Sequence, residues 1–194
     1  NGRSRGLGDV YKRQSQDDAV GEAFDKVAKL LDLPYPGGPY IETLALEGRS
    51  DAFDFPRPMI NSDDLNMSLS GLKTSVLYTV QKISNMTQEI KSDIAASFQQ
   101  AISDVLVAKI KKSIETTGRK EVIIAGGVAA NKFLRSNFKK LEKSHNIKVY
   151  FPDLKYCGDN AAMIAFVGSM MKPSIQNERS SSARARWPLD ELKA

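Results

Sequence analysis

Cysteine and histidine are almost missing from this chain, which holds one of each, Cys157 and His145, in 194 residues. A single cysteine excludes an internal disulfide framework and a cysteine-cluster zinc site. A single histidine excludes any site that draws two histidines from this chain. No apolar run approaches the roughly 18 residues of a membrane span, and no apolar h-region stands near the first residue. A lone thiol with no membrane signal is the usage expected of a reducing cytoplasm. What is present is ordinary for a folded domain. Hydrophobic residues make up 41% and charged residues 26%, enough apolar surface to offset ordering entropy and to exclude disorder throughout.

The first fourteen residues fit neither helical nor strand periodicity. Asp9-Val10-Tyr11-Lys12-Arg13-Gln14 is the translation of GATGTGTATAAGAGACAG, the end sequence of a transposase used to make sequencing libraries. Residues 1–14 therefore read as an adapter-derived leader, to be set aside before fold reasoning. The charge argument changes with them. The chain carries +5 at neutral pH, and the leader supplies +3 of it through Arg3, Arg5, Lys12 and Arg13 against Asp9, leaving +2. The basic balance by itself then gives no case for nucleic-acid binding.

The remainder alternates helix and strand signals. Val20, Phe24, Val27 and Leu31 recur at helical spacing, which predicts a helix over 15–31 opened by a capping box at Ser15–Asp18 and stopped by Pro34 and Pro36. A short helix over 39–47 follows, with Pro39 in its first turn, and then a loop over 49–64. Residues 65–70 read as a short strand, 72–83 and 92–116 as helices. Ile94, Phe98, Ile102 and Val105 share one face of the latter. The run Glu121-Val122-Ile123-Ile124-Ala125 is of buried-strand type. A helix over 129–143, a second strand over 147–151 and an apolar helix over 159–171 complete an α/β pattern with helices packed on a parallel or mixed sheet. The organisation expected is a mainly helical segment 15–117, an α/β segment 118–175 and a polar tail 176–194.

The segment most suggestive of chemistry is Ile123-Ile124-Ala125-Gly126-Gly127-Val128-Ala129-Ala130-Asn131. A strand runs into paired glycines and then a helix start. Glycines allow a backbone to approach a ligand, and a helix N-terminus offers N–H groups to an anion. A plain tight βα turn accounts for the same pattern, and the dinucleotide fingerprint G-x-G-x-x-G is absent. Asp159-Asn160, ahead of the last helix, reads either as an N-cap or as a hard oxygen ligand for a metal ion. Glu22 and Asp25 fit a solvated salt-laced helix face beside Lys26 and Lys29. Ser70-Gly71-Leu72-Lys73-Thr74 is not a phosphate-binding loop, because Leu72 separates the glycine from the lysine. Cys157 and His145 show no partner pattern for nucleophilic catalysis.

Seven segments, in order, resemble the TsaD/Gcp family of tRNA threonylcarbamoyl transferases. They are Asp17-Asp18-Ala19-Val20-Gly21-Glu22-Ala23-Phe24-Asp25-Lys26, Tyr35-Pro36-Gly37-Gly38-Pro39, Phe55-Pro56-Arg57-Pro58-Met59 and Ser70-Gly71-Leu72-Lys73-Thr74. Ala125 through Asn131, Asp159-Asn160-Ala161-Ala162-Met163-Ile164-Ala165 and Arg186-Trp187-Pro188-Leu189 follow. The resemblance covers the C-terminal part of the family. It implies an α/β fold, the C-terminal RNase-H-like lobe of an actin-like, sugar-kinase-like ATPase fold plus a helical insertion. It also implies transfer of a threonylcarbamoyl group from threonylcarbamoyl-AMP to an adenosine amine beside the tRNA anticodon, in company with a TsaB-like paralogue and a TsaE-like ATPase.

By position, the resemblance puts Asp25, Gly38 and Glu42 at the ribose region of the adenylate and Gly126, Gly127 and Asn131 along the nucleotide. It makes Asp159 a ligand of one divalent metal ion, with iron the expected metal and zinc or magnesium the alternatives. The family's other metal ligands are histidines of an H-x-x-x-H helix, a motif this sequence does not contain. The alternative function is a non-catalytic, truncated paralogue that serves as a partner-binding scaffold. A sugar kinase of the same superfamily is disfavoured by the Phe-Asp-Lys and Pro-Gly-Gly spacing, and a metallopeptidase by the absence of H-E-x-x-H.

Overall fold

The computed structural model describes residues 19–170. The leader 1–14, the capping box at Ser15–Asp18 and the tail from residue 171 onward, with Arg184, Arg186 and Trp187, lie outside the described residues. The described chain is α/β, mostly helical, with one small parallel sheet.

Four helices come first: α1 (Val20–Leu30), α2 (Gly37–Ala45), α3 (Ser70–Lys82) and α4 (Gln88–Thr117). In α1 the predicted stripe turns inward: Ala23, Phe24, Val27 and Ala28 are buried, and Leu31 completes it just past the helix. Asp32 ends the run with a positive φ of 57°, a conformation that short polar side chains tolerate. The thirty-residue α4 forms the axis of the molecule. Ile94, Phe98, Ile102 and Val105 are all fully buried along it; α2 and α3 pack on it, and α1 packs on α2 and α3 and meets it through Phe24 and Phe98. It starts a turn before the predicted 92, because the Thr87 hydroxyl accepts the Ile90 N–H at 3.3 Å and caps that turn. Gly118, at φ 66°, closes its other end in the left-handed conformation.

Two close approaches of backbone fix this packing. A Cβ at Gly48 would lie 2.0 Å from the Ser92 carbonyl oxygen, and one at Gly37 would lie 2.3 Å from the Ala28 Cβ. Only glycine lets the ends of α2 sit directly on α4 and α1. The loop after α2 then runs along α4, tied by Asp93, which accepts the Arg49 backbone N–H and guanidinium at 2.7 Å each. Ser97 Oγ accepts the Phe53 N–H at 3.1 Å, and Asp104 accepts from Arg57 Nε at 3.0 Å.

The predicted strand at 65–70 does not form. The segment has no neighbouring strand to pair with among the described residues, Leu65 and Met67 face solvent, and Ser70 already belongs to α3.

The second region is β1 (Glu121–Ile123), α5 (Lys132–His145), β2 (Lys148–Tyr150) and α6 (Ala161–Met170), with short 3-10 turns at Gly127–Ala130 and Leu154–Tyr156. The strands pair in parallel, Glu121 with Lys148, Val122 with Val149 and Ile123 with Tyr150. Leu134, Phe138 and Leu141 of α5 are buried with Ile147 and Val149. Two expectations fail here. The apolar run at 121–125 is not a buried strand: Ile123 is 76% exposed, because α5 covers one side of a two-stranded sheet and no described element covers the other. Nor does the last helix pack on the sheet. Every residue of α6 is exposed, including Ile164 and Phe166: it is apolar on all sides, a type normally buried, yet no side of it meets the described core.

Candidate functional site

A cavity of ≈ 220 Å³ opens where three segments distant in sequence meet: α1, the start of α2 and the glycine turn after β1. From α1 come Gly21, Phe24 and Asp25. From α2 and its approach come Pro36, Gly38, Pro39 and Glu42. The turn gives Gly127, Val128, Ala130 and Asn131. Five of the six residues expected at a nucleotide site therefore share one cavity: Asp25, Gly38, Glu42, Gly127 and Asn131. Gly126 stands immediately before it and shapes the turn, with φ 87° and ψ 175°, a combination essentially restricted to glycine.

Each polar wall residue is held by a specific contact. Asp25 Oδ1 accepts the Gly37 N–H at 2.7 Å, which joins the start of α2 to α1. Glu22 by contrast stays on the solvated face and pairs with Lys26 at 2.6 Å, so only one of the two acids belongs to the salt-laced surface. Glu42 Oε1 accepts the Lys132 N–H at 2.7 Å, which ties α2 to the first turn of α5. Each carboxylate spends one oxygen on a backbone donor and has a second oxygen with which to accept a ligand hydroxyl.

Asn131 is buried and doubly engaged. Its Oδ1 caps α5 by accepting the Leu134 N–H at 2.9 Å, and its Nδ2 donates to Gln99 Oε1 of α4 at 2.8 Å. It therefore orients the turn, and its amide is already used within the protein. The donors left for an anion are the opening N–H groups of the Gly127–Ala130 turn, which have no acceptor inside that turn. Arg135 braces the turn from behind: Nε donates to the Ala129 carbonyl and Nη2 to the Pro152 carbonyl at 2.8 Å. The guanidinium lies 4.8 Å from the centre of the Phe151 ring. Gly38 leaves room, since a Cβ there would meet nothing within 4 Å.

Several members of this site carried no usable signal in the sequence. Phe24 reads as a core residue and is one, meeting Phe98 edge to face at 5.3 Å, yet it also forms cavity wall. Gln99 and Arg135 hold the turn through contacts across 32 and 6 residues that no local pattern announces.

Asp159 lies away from this cavity and is exposed. The cap of α6 is its neighbour: Asn160 Oδ1 accepts the Met163 N–H at 2.9 Å. Among the described residues, no three His, Cys, Asp or Glu side chains converge as a metal site. Asp159 could supply one oxygen ligand, and a divalent ion needs several that converge. Cys157 is buried under α5, its sulfur 3.4 Å from Arg135 Nη2, and does not reach the cavity wall.

A relative from Neisseria meningitidis, named tRNA N6-adenosine threonylcarbamoyltransferase, is 47% identical over 97% of this chain and 58% of its own length. Proteins of the same name from N. meningitidis serogroup B and from Neisseria gonorrhoeae are 46% and 45% identical over the same shares. The chain thus spans a little over half the length of these relatives. The family profile described as TsaD, tRNA N6-adenosine threonylcarbamoyltransferase, matches residues 6–166. With a profile match over most of its length, this chain belongs to the TsaD family of tRNA N6-adenosine threonylcarbamoyltransferases.

Proposed function

We propose that this chain forms the adenylate-binding part of a tRNA N6-adenosine threonylcarbamoyltransferase. Its substrate is threonylcarbamoyl-AMP, and the acceptor is an adenosine amine beside the anticodon of tRNA. The observation that carries this reading is the meeting of Asp25, Gly38, Glu42, Gly127 and Asn131 in one cavity of ≈ 220 Å³. The second oxygens of Asp25 and Glu42 accept the ribose hydroxyls. The N–H groups at Gly127 and Val128 steady the phosphate, as backbone donors at a turn do for an anion. The tRNA amine attacks the carbamoyl carbon, the bond from that carbon to the phosphate oxygen breaks, AMP leaves, and the amine gives up a proton. These residues bind and orient the leaving nucleotide, and none is placed as a covalent nucleophile.

On this reading the helical segment 15–117 walls one side of the cleft. The α/β segment 118–175 walls the other, as the C-terminal RNase-H-like lobe of an actin-like fold. Asp159 contributes one ligand to an iron, zinc or magnesium ion whose remaining ligands come from outside the described residues. A TsaB-like paralogue and a TsaE-like ATPase are its partners, and the cytoplasm its compartment. No described helix is long and apolar enough to cross a membrane. The scaffold reading draws on a different observation, the bare apolar surface of α6, which would suit a partner of its own.

The test is calorimetric binding of AMP to the chain and to Gly38→Leu. Gly38 has free space around it, so leucine should fill the cavity mouth without disturbing the fold. Binding by the parent, loss of at least tenfold in affinity in the variant and an unchanged melting temperature are the expected results. Equal affinities, or no binding by the parent, would sink the reading. The chain alone should not transfer threonylcarbamoyl from the adenylate to tRNA, since Asp159 is the one metal ligand proposed among the described residues and a divalent ion needs several. Robust turnover by this chain alone would refute that.

A further inference from the structure

We infer that the groove between α4 and α5 is a docking site for RNA phosphates, separate from the nucleotide cavity. The inference rests on the reading of the chain as a tRNA-modifying enzyme. Charge is distributed very unevenly along the sequence. Residues 109–148 hold eleven Lys and Arg against three Asp and Glu, net +8, whereas residues 19–108 hold seven against twelve, net −5. The basic stretch is the second half of α4, β1, α5 and the first residue of β2. A net figure of +2 over residues 15–194 hides this separation, and a polyanion would be drawn to one side only.

Within that side, lysines differ in what they do. Lys109 is buried and donates to Ser62 Oγ at 2.6 Å and the Asp64 carbonyl at 2.9 Å. Lys112 donates to the Ser62 carbonyl at 2.8 Å, and Lys139 pairs with Glu142 at 3.1 Å. These hold the fold together. Lys111 and Lys140 have no carboxylate partner among the described residues, and both line a groove of ≈ 250 Å³. Its floor is made by Asn137 Nδ2 donating to Ser103 Oγ at 2.8 Å across the two helices. The acid in the groove, Asp104, is already satisfied by Arg57 Nε at 3.0 Å and Gln100 Nε2 at 2.7 Å. Lys140 Nζ gives one of its three protons to Asn137 Oδ1 at 2.9 Å, so both ammonium groups keep protons and charge that suit a phosphate oxygen. Lys140 lies nine residues along α5 from Asn131, which caps that helix at the cavity. At 1.5 Å per residue this is about 13 Å, a span of roughly four nucleotides in a stacked strand at 3.4 Å each. One RNA could therefore occupy the groove while a nearby base reaches the cavity.

The experiment is fluorescence anisotropy with a labelled anticodon stem–loop RNA over a series of salt concentrations. It uses the full chain, Lys111→Ala/Lys140→Ala, Lys111→Arg/Lys140→Arg and the control Lys82→Ala at the end of α3. Alanine favours helix, so the variants should fold, and circular dichroism verifies it. The alanine pair should lose roughly tenfold in affinity at low salt and flatten the log–log salt slope by about 1.4. The arginine pair should restore both, and Lys82→Ala should change neither. An unchanged slope in the alanine pair overturns the assignment, as does a parent chain that binds no RNA. Lysine-dependent binding of polyglutamate in place of RNA overturns it too and gives the groove to an acidic protein. AMP binding, measured alongside, separates the two readings. Its loss with RNA binding intact fails the cavity and spares the groove, and the reverse fails only the groove.

Discussion

The two regions of this molecule solve the burial problem differently. From α1 to α4, apolar stripes face one another and α4 is covered along most of its length. Phe24, Ile41, Leu72, Phe98 and Ile102 are buried together. From β1 to α6, cover is confined to the inner sides of α5, β1 and β2 and to Ala129, Asn131, Ile147 and Cys157. Ile123, Ile164 and Phe166 stand in solvent, and a two-stranded sheet is marginal by itself. The helical region is thus a self-sufficient core, while the α/β region is a thin layer resting on it through α5. The cavity lies at their join, so its α1 and α2 walls inherit the rigidity of the first region and its glycine turn depends on the braces Asn131–Gln99 and Arg135.

The largest expected effect sharpens this contrast. Phe98→Ala removes a fully buried ring that touches Phe24 and should cost about 3–5 kcal/mol, as large-to-small core changes do. Ile123→Thr, in the other region, should change stability by less than about 0.5 kcal/mol and improve solubility, because it removes exposed apolar surface. Urea titrations of the two variants measure both. A cost at Ile123 comparable to that at Phe98 would show that β1 is covered on both sides in solution.

Acid should loosen the first region chiefly through its buried carboxylate tie. The Arg49 guanidinium and then its backbone N–H hold the Asp93 carboxyl below its ordinary value of 3.8, and the carboxyl is buried. A carboxylate whose pKa is lower folded than unfolded adds stability above the unfolded pKa. That stability is lost as pH falls through the folded pKa. Asp93→Asn should therefore cost about 2 kcal/mol at neutral pH, the worth of hydrogen bonds to a charged group, and less and less below pH 3.8. Parallel melting curves from neutral pH downward check this. Glu142 of α5, held low first by the Val149 N–H and then by Lys139, titrates in the same direction, but it lies at the surface and water screens its effect. If Glu142→Gln had the larger pH dependence, the ranking of the two regions would be reversed.

How much of this was legible follows from range. The stripe of α1, the inward face of α4 and the αβ alternation after Gly118 are local patterns, and the strand expected at 147–151 differs from the observed Lys148–Tyr150 only at its ends. The cavity residues came from motif resemblance and not from periodicity. Asp25 has the local pattern of surface charge, and only a contact 12 residues away, the Gly37 N–H on its oxygen, sets it apart. The failures have one physical cause. The runs at 65–70, 121–125 and 159–171 are apolar enough to be buried, but apolarity does not say by what. In the described structure the first has no partner strand, the second one covered side, and the third no cover at all.

The smallest prediction lies inside the well-packed region and asks how complete its packing is. Ser92 is buried on α4, beneath Gly48, and its Oγ has no hydrogen-bond partner. A hydroxyl taken out of water without a partner costs on the order of 1 kcal/mol or more. Serine is also a poorer helix former than alanine by a few tenths of a kcal/mol. Ser92→Ala removes only that oxygen and leaves the Cβ in place, so the tight contact of Gly48 with the Ser92 backbone persists. The variant should gain about 1 kcal/mol and melt a few degrees higher, against a loss of several for Phe98→Ala one or two turns along the same helix. A destabilised Ser92→Ala would mean that the hydroxyl finds an acceptor, most simply a water held where α2 meets α4. The join between those helices would then be wet, and the core less self-sufficient than its apolar residues imply.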